Sequence, residues 1–153
     1  MKDVPYFKSQ VETLQLILDG TRDKRVCAVG TTCIGKTTLV ETLSGAYDMD
    51  EILFPLLTLE EQVYVCQDPW TKEIGQTMTR LAKERIKVEV GKPIFGTIIF
   101  DSDIIIYLCA SEYLLRQRTL SRGKNCDYAF RMQEQIEQEI KNSEIQYIRF
   151  LVG

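Results

Sequence analysis

Gly30, Gly35, Lys36 and Thr37 are spaced as G-x-x-x-x-G-K-T inside "VCAVGTTCIGKTTLV", residues 26–40. Two glycines at that separation let backbone N–H groups approach an anion closely, because no side chain obstructs them, and the helix that follows presents its positive end. A lysine in this position reaches the β- and γ-phosphates of a nucleotide, and the adjacent hydroxyl offers one Mg²⁺ position. By average residue usage the pattern arises by accident in roughly half a percent of chains this long. The candidate nucleotide-binding residues are therefore Gly30, Thr31, Thr32, Cys33, Ile34, Gly35, Lys36, Thr37 and Thr38. They point to ATP or GTP held with Mg²⁺, and Cys33 reads as a small residue that fits the loop.

The chain contains no histidine, which removes Ser-His-Asp triads, Cys-His pairs and histidine general bases. Chemistry must then run on carboxylates, Lys, Arg, hydroxyls, amides and a metal. Phosphoryl transfer under that restriction needs one carboxylate to orient or deprotonate the acceptor and another to hold Mg²⁺. In open α/β sheets the site lies off the carboxyl ends of the strands. That rule selects Asp68, after "QVYVCQ", and the Asp48-Met49-Asp50 group, after a short strand in "AYDMD". Asp50 and Asp68 are the candidate catalytic carboxylates, Asp68 also the candidate metal ligand beside Thr37, and Asp48 and Trp70 candidate acceptor contacts. Asp101 and Asp103 precede the strand "IIIYLC" and are expected at the opposite end of the sheet, unless "TIIFD" is itself a strand. Positive charge comes from "EYLLRQRTLSRGK": Arg118 and Arg122 stand four apart on one helix face, flanked by Arg116 and Lys124. Such a group suits a lid over 116–126 that closes on the transferring phosphates.

Those residues need elements to hold them. Apolar spacing predicts helices over 7–18, 35–43, 71–90, 111–121 and 127–141, and strands over 25–30, 62–67, 104–109 and 145–152. The stretch 46–59 reads as a short strand running into a helix that Pro55 interrupts. The stretch 95–100 reads as a connector or an extension of the later strand, since Asp101-Ser102 is too short to link parallel neighbours. Strands alternating with helices imply a largely parallel sheet with helices on both faces.

Composition sets the remaining bounds. The chain has 153 residues, 44% of them hydrophobic, enough for one compact core, so a single domain over 1–153 is expected. A net charge of −3 supplies no global field for nucleic acid or an anionic membrane. The apolar runs fall short of the roughly 20 residues of a membrane span, and no signal-peptide pattern opens at Met1, so no membrane association is expected. Five cysteines without a CxxC pair suggest reduced thiols in a cytoplasmic setting and give no basis for a zinc site.

With these residues in view, "GTTCIGKTTL" followed by "YDMDEI" resembles shikimate-kinase-like small P-loop kinases, in which an aspartate after the second strand faces the acceptor. "DIIIYLCASEYLLRQRTLSRGK" resembles the strand and Arg-bearing lid of deoxynucleoside and nucleoside monophosphate kinases. The resemblance covers residues 25–122. It implies a three-layer P-loop NTPase fold with a five-stranded parallel sheet in the order 2-3-1-4-5. It also implies an ATP- and Mg²⁺-dependent kinase acting on a small molecule such as a nucleoside, nucleotide or related metabolite. Where deoxynucleoside kinases carry D-R-S or E-R-S, this chain has Gln67-Asp68-Pro69-Trp70. A nucleotide-binding switch or regulatory ATPase is the second reading, and a polynucleotide kinase a third that the acidic composition opposes.

Overall fold

The computed structural model describes residues 5–31, 34–67, 71–121, 123 and 126–152, with the side chains of residues 5–7 and 37 left aside. The predicted Thr32, Cys33, Asp68, Trp70, Arg122 and Lys124 lie outside the described residues.

The chain begins with helix α1 (Pro5–Asp19), strand β1 (Val26–Gly30), helix α2 (Lys36–Thr42), strand β2 (Tyr47–Asp48) and helix α3 (Met49–Leu53). A short 3₁₀ turn (Phe54–Leu56) leads to α4 (Leu59–Val65), α5 (Lys72–Arg85) and β3 (Ile94–Gly96). Strand β4 (Ile104–Ala110), α6 (Glu112–Ser121), α7 (Cys126–Ser143) and β5 (Tyr147–Val152) complete it. The five strands form one sheet in the order β2-β3-β1-β4-β5, and every pairing is parallel.

The period of two along β1 and β4 divides the core between the two faces of the sheet. Val26 and Ala28 of β1, with Ile104, Ile106, Leu108 and Ala110 of β4, pack with Leu14 and Leu18 of α1, Leu39 of α2 and Leu115 of α6. On the other face, Cys27 meets Leu53, Ile74, Leu81 and Ala82 of α3 and α5. Val29, Ile105, Tyr107 and Cys109 meet Ile136 and Ile140 of α7. Both central strands are buried along their whole length, as a parallel sheet covered on two sides requires.

Two expectations are corrected. Residues 62–67, expected as a strand, belong to helix α4 and its end. Thr58 starts that helix with a capping box: its hydroxyl accepts from Glu61 N–H at 3.2 Å while the Glu61 carboxylate accepts from Thr58 N–H at 2.8 Å. Arg85 of α5 then holds the same carboxylate at 2.5 and 2.7 Å. These local and tertiary bonds outweigh the β-branched bias of "VYV". The third strand is instead Ile94–Gly96, inside the stretch expected to be a connector or a later strand's extension. Its link to β4 over residues 97–103 carries no helix. So short a link crosses β1 and still suffices because the backward travel is small: Gly96 pairs with Val29 and Ile104 with Val26. That is three residues at about 3.3 Å each.

No helix among the described residues is long and apolar enough to cross a membrane.

Candidate functional site

The 30–38 loop leaves the carboxyl end of β1, the central strand, between β3 and β4. Gly35 is the residue before α2 and has φ 96°, a left-handed conformation that other L-residues enter at a cost. A Cβ there would also stand 2.7 Å from Arg118 Nη1. At Gly30 the neighbours are less able to move, since a Cβ would meet the Leu108 carbonyl oxygen at 3.0 Å and Leu108 Cβ at 3.1 Å. Close approach of β4 thus favours glycine at position 30, and the left-handed backbone favours it at position 35.

Two cations converge on the loop. Lys36 Nζ donates to the carbonyl oxygens of Gly30 at 2.9 Å and Thr31 at 2.6 Å. Arg118, on α6, donates through Nη1 to the Ile34 carbonyl oxygen. Neither ammonium nor guanidinium lies out in solvent at random; each is already folded back onto the main chain of the same loop. The first turn of α2 adds amides that precede any acceptor inside the helix, the earliest return bond being Leu39 N–H to Gly35 O at 3.0 Å.

Asp48 and Asp50 stand at the carboxyl end of β2 and in the first turn of α3, and both feel the charge of Lys36. Crowding by protein atoms pushes both carboxyls above the ordinary range, although the Asp50 residue as a whole is exposed. For Asp48 the nearby Asp50 charge adds to the rise, while the amides of Glu51 and Asp50 and the Lys36 ammonium oppose it. Lys36 alone opposes it at Asp50. Neither aspartate has an ion-pair partner among the described residues.

The structure therefore brings together Gly30, Gly35, Lys36, Asp48, Asp50 and Arg118. Other expected residues fall elsewhere. Ile34 is fully buried in the core and Thr31 is fully buried with its hydroxyl turned to α7, so any contact of theirs with a ligand is through the main chain. Arg116 pairs with Glu112 on the exposed side of α6, away from Arg118. Asp101 and Asp103 bind Arg25 at the amino end of β1, opposite the loop, as the strand rule predicts. With residues 62–65 in helix α4 and 66–67 beyond its end, the strand-end argument for Asp68 no longer applies.

A residue the sequence reading missed is Gln133. Its side chain donates to the Ala110 carbonyl at 2.8 Å and accepts from Ala110 N–H at 3.0 Å, closing the end of β4 where α6 departs. The signal was a lone amide in the buried stripe Ala129, Gln133, Ile136, Ile140 of α7.

A cavity of ≈520 Å³ lies elsewhere, between α5 and α7 above residues 97–101, with Thr79, Phe100 and Met132 among its walls. It contains none of the convergent charges. A polyphosphate is gripped by amides and cations around a loop rather than enclosed in a hollow, so the loop is the stronger candidate. The residues present suit a magnesium nucleotide: one ammonium, one guanidinium, a left-handed glycine at a helix start, and two carboxylates within the field of that ammonium but in no ion pair among the described residues. Compared with known proteins, the chain matches no family model and no curated protein sequence.

Proposed function

We propose that this chain is a P-loop kinase that transfers the γ-phosphoryl group of ATP to a hydroxyl or phosphate of a small molecule. The acceptor class is a nucleoside, nucleotide or related metabolite. The observation that carries the reading is the pair Asp48 and Asp50, raised in proton affinity and without an ion pair among the described residues, facing Lys36 of the glycine loop. The β2-β3-β1-β4-β5 order agrees with the P-loop NTPase fold implied by the sequence resemblance.

Magnesium ATP supplies the phosphoryl group and its leaving group. Lys36 would exchange its loop carbonyls for the β- and γ-phosphate oxygens, and the Thr37 hydroxyl would take one position on the metal. Asp50 would take the proton of the acceptor hydroxyl, with Asp48 orienting the acceptor beside Trp70. A carboxylate whose proton affinity is raised is better matched to that task than one at the ordinary value. Arg118 and Arg122 would offset the charge on the transferring group. The free thiols Cys27, Cys66, Cys109 and Cys126 suit a reducing, cytoplasmic compartment.

The test is ADP release from Mg-ATP by the purified protein, alone and against a panel of nucleosides, nucleoside monophosphates and small hydroxylated metabolites. Acceptor-dependent release is the expected result. Release indifferent to every acceptor would replace the kinase by a regulatory ATPase, and absence of nucleotide binding would end both readings.

A further inference from the structure

Thr31 stands one residue beyond β1, is fully buried, and bonds at both its ends. Its hydroxyl donates to the Ala129 carbonyl oxygen in the first turn of α7 at 2.7 Å, across 98 positions of sequence. Its own carbonyl oxygen accepts from Lys36 Nζ at 2.6 Å. The side chain thus fixes the orientation of the very peptide that holds the lysine. Helix α7 is itself secured to the end of β4 by the two Gln133 bonds to Ala110. From the other side of the loop, Arg118 of α6 holds the Ile34 carbonyl. The α6–α7 hairpin therefore grips the loop at both ends.

We infer that Thr31 is a positioning residue, which anchors to α7 the peptide whose carbonyl receives the Lys36 ammonium and so ties the lysine's readiness for a triphosphate to the α6–α7 hairpin. This rests on the nucleotide-binding reading of the loop. Valine has nearly the same shape as threonine and lacks only the donor. The Ala129 carbonyl keeps the bond it receives inside α7, so Thr31→Val removes the tether without orphaning its acceptor.

Mg-ATP titrated calorimetrically into wild type, Thr31→Val, Thr31→Ser and Lys36→Met tests this, with thermal denaturation of each protein alongside. Thr31→Val is expected to weaken Mg-ATP by about fivefold, the equivalent of one lost hydrogen bond. Thr31→Ser, which keeps the donor, is expected to restore wild-type affinity. In the Lys36→Met background Thr31→Val should have no further effect, because the lysine it acts through is gone. A merely structural threonine would instead lower the melting temperature and weaken Mg-ATP equally in both backgrounds, which overturns the inference. Equal affinity of wild type and Thr31→Val overturns it as well, while leaving the nucleotide reading intact. If wild type fails to bind Mg-ATP, the nucleotide reading falls and takes this inference with it.

A ligand-free readout separates the two further. The Lys36 ¹⁵Nζ ammonium signal, slowed in proton exchange by its carbonyl bonds, is expected in wild type and Thr31→Ser and absent in Thr31→Val. Its persistence in Thr31→Val would show that the lysine is held without the tether.

Discussion

The two ends of the sheet carry the same charged kit and use it oppositely. At the amino end of β1, Arg25 meets two aspartates two positions apart, Asp101 and Asp103; at the carboxyl end, Lys36 faces two aspartates two positions apart, Asp48 and Asp50. Arg25 satisfies its pair directly. Its N–H donates to Asp103 Oδ2 at 2.8 Å, and its guanidinium reaches Asp103 Oδ1 at 3.2 Å and Asp101 Oδ2 at 3.4 Å. The main-chain and side-chain bonds from Arg25 hold the Asp103 carboxyl below its usual range. Lys36, by contrast, gives hydrogen bonds to loop carbonyls, and its two aspartates are pushed above theirs, first by crowding. At one end of the strand the charges bond one another; at the other the lysine bonds the main chain of its own loop while its field reaches two crowded carboxylates.

Breaking the carboxyl-end set should have the largest effect. Lys36→Ala is expected to reduce ADP release to background and to weaken Mg-ATP binding to a still measurable affinity, with an unchanged far-ultraviolet circular dichroism spectrum; undiminished turnover would remove the lysine from the chemistry.

Next come the aspartates. Asp50→Asn is expected to lower turnover on the order of 10³-fold if it takes the acceptor's proton, and Asp48→Asn to lower it less. Both variants should melt at or above the wild-type temperature, because each deletes a carboxylate that the fold crowds. In wild type, the raised proton affinity places the acid limb of kcat/KM above the ordinary carboxylate value of about 3.9. A limb at the ordinary value, or one that survives in both variants, would assign the base elsewhere.

Arg118→Ala is expected to reduce kcat on the order of 10²-fold, with a smaller change in Mg-ATP affinity. Equal losses in both would make the arginine a ground-state contact or a brace for the loop.

The smallest effect belongs to the amino end. Asp103→Asn should leave turnover unchanged and lower the melting temperature slightly near neutral pH, since exposed ion pairs contribute little. Its carboxyl is held below the usual range, so the stability it gives is present above the ordinary carboxylate value and is lost as pH falls through the lowered one. The difference between variant and wild type should therefore vanish in acid. Lost turnover in Asp103→Asn would erase the contrast between the two ends.

Much of the frame was legible along the chain because its signals are local. The glycine spacing, the continuous apolar runs of β1 and β4 and the amphipathic stripe of α5 each lie within one window of sequence. The misread third strand shows the limit. Ile94–Gly96 is too short to display alternation, and Gly96 is demanded by a neighbour, since a Cβ there would stand 2.8 Å from Met49 Cβ and Sδ. Residues 62–67 carry a strand's composition, yet Thr58 and Glu61 spell a capping box that was there to be read.

By itself the sequence determined the loop, its lysine, the alternation of strands and helices, and the absence of histidine chemistry, because these depend on residue type and short spacing alone. Only the tertiary structure decided that Arg118 bonds the loop at the Ile34 carbonyl, that Thr31 turns into α7, and that Asp48 and Asp50 share the field of Lys36 while Asp101 and Asp103 pair with Arg25. The physical reason is that ionisation and hydrogen bonding answer to distances between residues far apart in the chain, and those distances exist only once the sheet has set the order of its strands.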